Sequence, residues 1–143
     1  MSVENELASL SGLELLKAMI AGRDPAPSIS RTLGFRLVEV DKGRVVFEGT
    51  PGPNVLNPLG QIHGGYALVL IDSAAGCAAH TEMDAGVGYT TVETKVNFTR
   101  PLPKDGPVVR CEGRVLSRGR TIATADAYVR DSAGKLLVPA PRR

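Results

Sequence analysis

The stretch HGGYALVLIDSAAGCAAH, residues 63–80, decides the interpretation of this sequence. It is long enough for a helix of about five turns, and apolar or small residues occupy nearly every position around it. A helix without a polar face must be surrounded by protein. The sequence therefore predicts one wholly buried central helix, with the remainder of the chain wrapped around it.

Segments on both sides of this helix alternate between apolar and polar residues, as strands with one buried face do. These strands are expected at residues 35–40, 44–48, 91–98, 109–115 and 123–129. Pro139 and Pro141 cannot donate to a ladder, so a last strand near the C-terminus should be short or at an edge. The order predicts an α+β fold, with a curved antiparallel sheet of five to six strands around one long helix.

The N-terminal part of the chain has a different pattern. Residues 11–21 carry apolar side chains at helical spacing, and Gly22 with the DPAP stretch at 24–27 should end that helix. We expect residues 1–32 to form a short helical segment and residues 33–143 to form the core. With 143 residues in all, the chain fits one domain.

Composition excludes several classes of function. The formal net charge is +2 and the arginines are scattered, which argues against a nucleic-acid partner. The longest apolar stretch, 66–79, is too short to cross a bilayer. The N-terminus has two acids and no basic segment before an apolar run, so we expect no signal peptide and a cytoplasmic location. Cys77 and Cys111 lack metal-ligand spacing and are expected to be reduced thiols, with no metal site.

Asp72 is the residue that does not fit the apolar helix. Its helical neighbours Leu68, Val69, Ala75 and Gly76 cannot pair with a carboxylate. Burial of an unpaired carboxylate costs several kcal/mol, so something outside the helix must compensate it. One interpretation is a structural aspartate, bonded to backbone or to a threonine of the sheet. The other is a carboxylate that borders a ligand cavity.

The start of the same helix supplies a second set of candidate residues. Asn57, His63, Gly64 and Gly65 cluster where a loop enters the helix. Free N–H groups at a helix N-terminus bind oxyanions, although a glycine pair can also serve only a tight turn. Gly64 and Asp72 are about 12 Å apart along one helix. If both act on one substrate atom, two subunits must share the site, which predicts a dimer.

The sequence from Asn57 to Gly65, followed by Asp72, resembles the hotdog-fold acyl-CoA thioesterases. It is most similar to the branch of phenylacetate-pathway and 4-hydroxybenzoyl-CoA thioesterases, and the resemblance extends from about Leu33 to Gly134. It implies hydrolysis of an aryl- or short- to medium-chain acyl-CoA to the free acid and coenzyme A. It further implies no cofactor apart from the coenzyme A of the substrate, and a homo-oligomer that is a dimer or a tetramer of two dimers.

The resemblance also implies residue roles. Asp72 matches the catalytic carboxylate, as general base or nucleophile, and Gly64 matches the residue whose N–H polarises the thioester carbonyl. Asn57 matches an amide that holds the water or the carboxylate. His63 supports the same part of the site, at the start of the helix. Thr91 matches a hydroxyl that orients the carboxylate or the water.

A further group of residues is expected to contact the substrate. Gly65 lacks a side chain that would keep the substrate carbonyl away, and one later turn resembles a segment that binds coenzyme A. The residues of that turn are Ser117, Arg118, Gly119, Arg120 and Thr121. The two arginines can equally be solvated turn cations.

Two other functions remain possible at this point. An acyl-CoA hydratase or dehydratase of the same fold would pair a carboxylate with a histidine across the substrate, but His63 lies at the helix start instead. A non-catalytic acyl-CoA-binding module would keep the pocket without needing Asp72. Release of free thiol from a panel of acyl-CoAs separates both from a thioesterase.

Overall fold

The computed structural model describes residues 2–141, which form a sheet packed against one long helix and three short ones. The helices are α1 Val3–Ala8, α2 Gly12–Ile20, α3 Ser28–Leu33 and α4 Gly64–His80. The strands are β1 Phe35–Asp41, β2 Arg44–Gly49, β3 Val109–Arg118, β4 Ala123–Arg130 and β5 Leu136–Val138. No helix within residues 2–141 has both the length and the apolar content that a membrane crossing needs.

The five strands form one antiparallel sheet in the order β1-β2-β3-β4-β5, and α4 packs against β2, β3 and β4. The closest approach is at Gly113 of β3, where an added Cβ would lie 2.3 Å from the carbonyl oxygen of Ala74. A side chain at this position would therefore push the helix away from the sheet. The predicted α+β arrangement, a sheet around one long helix, is confirmed.

Along the strands, buried and outward-facing side chains alternate, as the sequence predicts. In β3, Val109, Cys111 and Gly113 are buried under α4, while the intervening charged residues face outward. The outward face carries ion pairs between strands, among them Arg110 with Glu48 at 2.7 Å. This face of the sheet is covered by charge, so the apolar core lies on the α4 side only.

The N-terminal helices close one end of the core. Ser11 and Glu14 form a capping box at the start of α2, and the Gly12 N–H donates to the Met83 carbonyl at 3.0 Å. Leu16 is buried among core side chains. The predicted helix at 11–21 is confirmed, while α1 and α3 were not predicted as separate helices. The single-domain division at residues 32 and 33 stays a prediction.

The strand predicted at 91–98 is wrong. Residues 87–99 have no ladder partner among residues 2–141 and instead run alongside α4 in the opposite direction. The expected edge strand β5 has only three residues and pairs with β4. Such a short strand offers few backbone groups to segment 87–99. The Thr99 hydroxyl donates a hydrogen bond to the Leu137 carbonyl of β5 at 3.0 Å.

The prediction that α4 is wholly buried is also wrong. Asp72 is exposed and Leu68 retains 39% of its surface on the same side of the helix. The sheet covers the other side, where Leu70 and Ala74 are fully buried. Because segment 87–99 covers the remaining side only in part, α4 has one open face.

Candidate active site

Asp72 lies at the middle of the open face of α4. Its Oδ1 accepts a hydrogen bond from the Thr91 hydroxyl at 2.7 Å, and the Thr94 hydroxyl lies at 3.5 Å from the same oxygen. The other carboxylate oxygen has no hydrogen-bond donor among residues 2–141. One oxygen is thus held in place and the other is available to a water or a substrate.

This environment bears on both interpretations of Asp72. A threonine does contact the carboxylate, as the structural interpretation requires, but Asp72 is not enclosed in the core of its own chain. An exposed carboxylate does not carry the desolvation cost expected for a buried one. The geometry is that of a hydrogen-bonded acid on the exposed face of α4.

The N-terminus of α4 presents a free backbone donor. The Nδ1 atom of His63, the N-cap residue, accepts a hydrogen bond from the Gly65 N–H at 2.8 Å. Within the described part of the chain the Gly64 N–H has no acceptor. His63 therefore satisfies one of the unpaired helix donors and leaves Gly64 N–H for an external oxygen.

Asn57 shapes the loop that leads into this terminus. Its Oδ1 accepts hydrogen bonds from the Leu59 N–H at 2.9 Å and the Gln61 N–H at 3.1 Å. The carbonyl half of the amide is therefore used by the loop. The Nδ2 group points to no acceptor between residues 2 and 141, so it is the half that can donate to a water or a carboxylate.

The candidate residues fall into three groups along α4 within one chain. Asn57, His63 and Gly64 lie at its N-terminus, and Asp72 with Thr91 lies about 12 Å further along. The turn at 117–121 lies at the opposite end, where Arg118 donates to the Glu82 carbonyl. One chain does not bring these groups together.

The turn at 117–121 is ordered by its own hydrogen bonds. The Ser117 and Thr124 hydroxyls lie 2.7 Å apart, and the Gly119 N–H donates to the Ile122 carbonyl at 2.7 Å. Arg120 and Thr121 are exposed. The interpretation of this turn as a coenzyme A site stays a prediction. Within one chain the turn is at the opposite end of α4 from the Gly64 N–H.

An open cavity of about 320 Å³ lies beside the N-terminus of α4. Gly64 forms part of its wall, and the ring of Phe98 lies against it, 3.2 Å from where a Cβ of residue 64 would be. The remaining walls are mostly apolar and come from the N-terminal end of α4 and the residue before it, from residues 98–102 and from β5. They include Ile62, Ala67, Pro101, Leu102 and Val138.

The two thiols are poor nucleophiles. Burial raises the pKa of Cys77 to about 11, against a smaller opposing effect of a hydrogen bond from Tyr89. Burial also raises the pKa of Cys111. His80 ends α4 with a pKa lowered by burial, and its ring packs on Tyr89 with centroids 5.3 Å apart. His80 is half-buried at the end of the helix.

The structure adds three residues that the sequence did not single out. Thr94 reaches Asp72 although strict alternation places it on the other strand face from Thr91. Phe98 lines the cavity at Gly64, and Tyr89 packs on the second half of α4. The one available sequence signal was the pair of glycines in α4, Gly64 and Gly76, each of which leaves room for an aromatic ring.

Comparison with known proteins gives consistent matches. Residues 59–138 match the family model of the Thioesterase superfamily. A protein of Saccharolobus solfataricus provisionally named as an esterase is 35% identical over 111 residues, 78% of this chain and 77% of that protein. A 1,4-dihydroxy-2-naphthoyl-CoA hydrolase of Listeria monocytogenes is 27% identical over 109 residues, 76% of this chain and 87% of the hydrolase. Among solved structures, a phenylacetic acid degradation-related protein of Ralstonia eutropha superposes with a TM-score of 0.78 at 26% identity, covering 87% of this chain and 94% of that one.

Proposed function

Since the chain belongs to the thioesterase superfamily and is a thioester hydrolase, we propose that Asp72 hydrolyses an acyl-CoA thioester held at the α4 N-terminus of a second subunit. The expected hotdog fold and acyl-CoA thioesterase class are confirmed. The roles of individual residues form the proposal. The observation that carries it is the orientation of Asp72 by Thr91 on the open face of α4.

The proposed reaction uses a carboxylate and a backbone donor. The thioester oxygen accepts a hydrogen bond from the Gly64 N–H, which stabilises the negative charge that develops there. Asp72 takes a proton from a water that attacks the carbonyl carbon. The tetrahedral intermediate then expels the coenzyme A thiolate, which takes up the proton, and the free acid remains. Direct attack by Asp72, followed by hydrolysis of the anhydride, uses the same groups.

Two subunits are needed because Gly64 and Asp72 are about 12 Å apart on one straight helix. Two α4 helices that run antiparallel across a two-fold axis bring Gly64 of one chain beside Asp72 of the other. The same arrangement brings the turn at 117–121, near the C-terminal end of one α4, toward the N-terminus of the other. It would therefore unite all three groups of candidate residues.

Exposed apolar side chains support a second copy on this face. Val92 is 82% exposed and Phe98 is 57% exposed on segment 87–99, beside the partly exposed Leu68 of α4. A contiguous apolar surface of this kind commonly marks an interface. The proposed assembly is a dimer or a tetramer of two dimers, and the catalytic site requires only the dimer.

The proposed substrate is an aryl- or short- to medium-chain acyl-CoA. The cavity of about 320 Å³ is near the lower end of the about 300–1,000 Å³ that small-molecule sites span, and its walls are mostly apolar, with Thr99 and Arg100 as the polar lining residues. The naphthoyl-CoA specificity in the name of the Listeria relative supports an aromatic acyl group. A long fatty acyl chain would not fit without leaving the cavity.

The test is a panel of acetyl-, hexanoyl-, benzoyl-, phenylacetyl- and palmitoyl-CoA, with thiol release measured for the wild type and for Asp72→Asn. We expect turnover of one or more of the first four and a loss of at least about 100-fold in Asp72→Asn. Conversion of an enoyl-CoA without thiol release would indicate a hydratase. Full turnover by Asp72→Asn would overturn the assignment of the carboxylate.

A further inference from the structure

Gly76 leaves a notch in α4 one helical turn beyond Asp72. Residues four apart share one face of a helix, so the notch and the carboxylate are neighbours. The ring of Tyr89 occupies the notch: an added Cβ on Gly76 would lie 2.8 Å from Tyr89 Cε2 and 3.0 Å from its hydroxyl oxygen. Alanine at position 76 would therefore displace Tyr89.

Tyr89 has two further contacts on the same helix. Its ring packs on the His80 ring at 5.3 Å between centroids, and its hydroxyl is near enough to the Cys77 thiol to lower the pKa of that thiol. The side chain thus lies across three α4 residues, although 45% of Tyr89 remains exposed. Tyr89 therefore has a defined packing position on α4, which we call its seat at Gly76.

The residue spacing along α4 and along segment 87–99 links the contact of Tyr89 with Gly76 to Asp72. From Gly76 to Asp72 is four helical residues, about 6 Å along the axis. From Tyr89 to Thr91 is two residues, about 6.6 Å of extended chain. Because segment 87–99 runs opposite to α4, a tyrosine seated at Gly76 places the residue two positions later beside Asp72, where the Thr91 hydroxyl is observed at 2.7 Å.

We propose that Tyr89, seated in the notch at Gly76, is a positioning residue that holds the Thr91 hydroxyl against Asp72. The inference rests on the proposed function, since it assigns Tyr89 a role through the catalytic carboxylate. Segment 87–99 has no ladder partner within residues 2–141. Its position at Asp72 therefore depends on side chains, and Tyr89 is the large one nearest to Thr91.

The first test compares Tyr89→Ala and Gly76→Ala with Tyr89→Phe, which keeps the ring and loses only the hydroxyl. Small displacements of a catalytic group cost up to about 100-fold in rate, so we expect kcat to fall about 10- to 100-fold in the first two variants. KM should stay within about threefold, because the carbonyl donor is untouched. Tyr89→Phe should retain most of the wild-type kcat. Val87→Ala, a change in the same segment outside the seat, is the matched control.

The second test asks whether Tyr89 acts through Thr91. In a Thr91→Val background, Tyr89→Ala should lower kcat by no more than about twofold, because the interaction it supports is already absent. Losses that multiply in the double variant would overturn the proposal. So would a loss of kcat in Tyr89→Ala that follows dissociation of the oligomer, measured by light scattering on the same samples.

The outcomes distinguish this inference from the proposed function. If the wild type has no thioesterase turnover, or Asp72→Asn keeps it, the proposed function fails. If turnover depends on Asp72 while both Tyr89→Ala and Gly76→Ala retain full kcat, only the role of Tyr89 fails. Should Gly76→Ala not fold, Tyr89→Ala and the double variant still decide the question.

Discussion

At the scale of single residues, the proposed chemistry depends on the Asp72 carboxylate and on the Thr91 hydroxyl that is hydrogen-bonded to it. The sequence was enough to select Asp72, because an acid among apolar helical residues needs an explanation. It was not enough to place it, because which side of α4 stays open depends on where the sheet ends. The Thr91 contact at 2.7 Å supports the expected alignment, while Thr94 depends on a local path of the chain that strand alternation does not describe.

Replacement of Thr91 by valine tests the orientation of the carboxylate. Thr91→Val keeps the shape and removes a hydrogen bond to a charged group, and such bonds contribute about 1.5–3 kcal/mol. We expect kcat to fall at least about tenfold. Thr94→Val is the matched control, since its hydroxyl lies at the 3.5 Å limit of a hydrogen bond and should matter less than about threefold. Equal effects of the two variants would contradict the assignment.

The two thiols should be unreactive in the folded protein. With a pKa of about 11 for Cys77, roughly one molecule in a thousand carries its thiolate at pH 8. Alkylation by iodoacetamide should therefore be slow at pH 8 and accelerate as the pH rises toward 11. Unfolding in guanidinium should release both thiols at once. Rapid native labelling of Cys77, detected by mass spectrometry, would show that the thiol is accessible and activated.

At the scale of elements, α4 and β3 come very close together at Gly113, which has no side chain. The alternation of β3 and β4 was predictable from their sequences, as was the short edge strand near Pro139 and Pro141. Gly113 was not recognised as the point of closest approach, because the distance to Ala74 depends on how two elements far apart in sequence pack. The same reason explains the wrong strand at 91–98: alternation is local, but a ladder needs a partner.

An added methyl group at Gly113 tests this packing. Gly113→Ala places a Cβ 2.3 Å from the Ala74 carbonyl oxygen, and overpacking of this kind costs about 1–3 kcal/mol or more. The free energy of unfolding, measured in guanidinium, should fall by that amount. Gly88→Ala is the control, because no atom lies within 4 Å of its added Cβ and its stability should change by less than about 0.5 kcal/mol. Equal stability of the two variants would contradict the described contact.

At the scale of the whole molecule, the proposed reaction needs two copies of this chain. Its three groups of candidate residues are spread along α4, and Val92 of segment 87–99 is exposed. The family resemblance predicted the fold and the class of enzyme correctly, since both depend on motifs within one chain. The arrangement of subunits does not follow from such motifs and is argued from the spacing of Gly64 and Asp72.

The apolar face predicts the oligomeric state. Light scattering should give a multiple of the chain mass of 15.1 kDa, either two or four. Val92→Lys places a charge at a residue that is 82% exposed in one chain, so it should be neutral in a monomer and should weaken a dimer. Ile29→Lys changes an exposed residue of α3 away from this face and serves as the control. A wild-type monomer with full activity would contradict the shared site.

The shared site is tested most directly by mixing two inactive variants. Asp72→Asn removes the carboxylate. Gly64→Pro removes the N–H donor at the first helical position, where proline is compatible with a helix. Each variant alone should be inactive.

Co-expression of the two variants with different tags produces hybrid dimers. In a hybrid, one site combines the intact Gly64 of one chain with the intact Asp72 of the other, while the second site has both defects. Random pairing should therefore restore about a quarter of the wild-type thioesterase rate in the mixture, and about half in purified hybrids. Hybrids no more active than either parent would show that the carboxylate and the donor act within one chain, which contradicts this account.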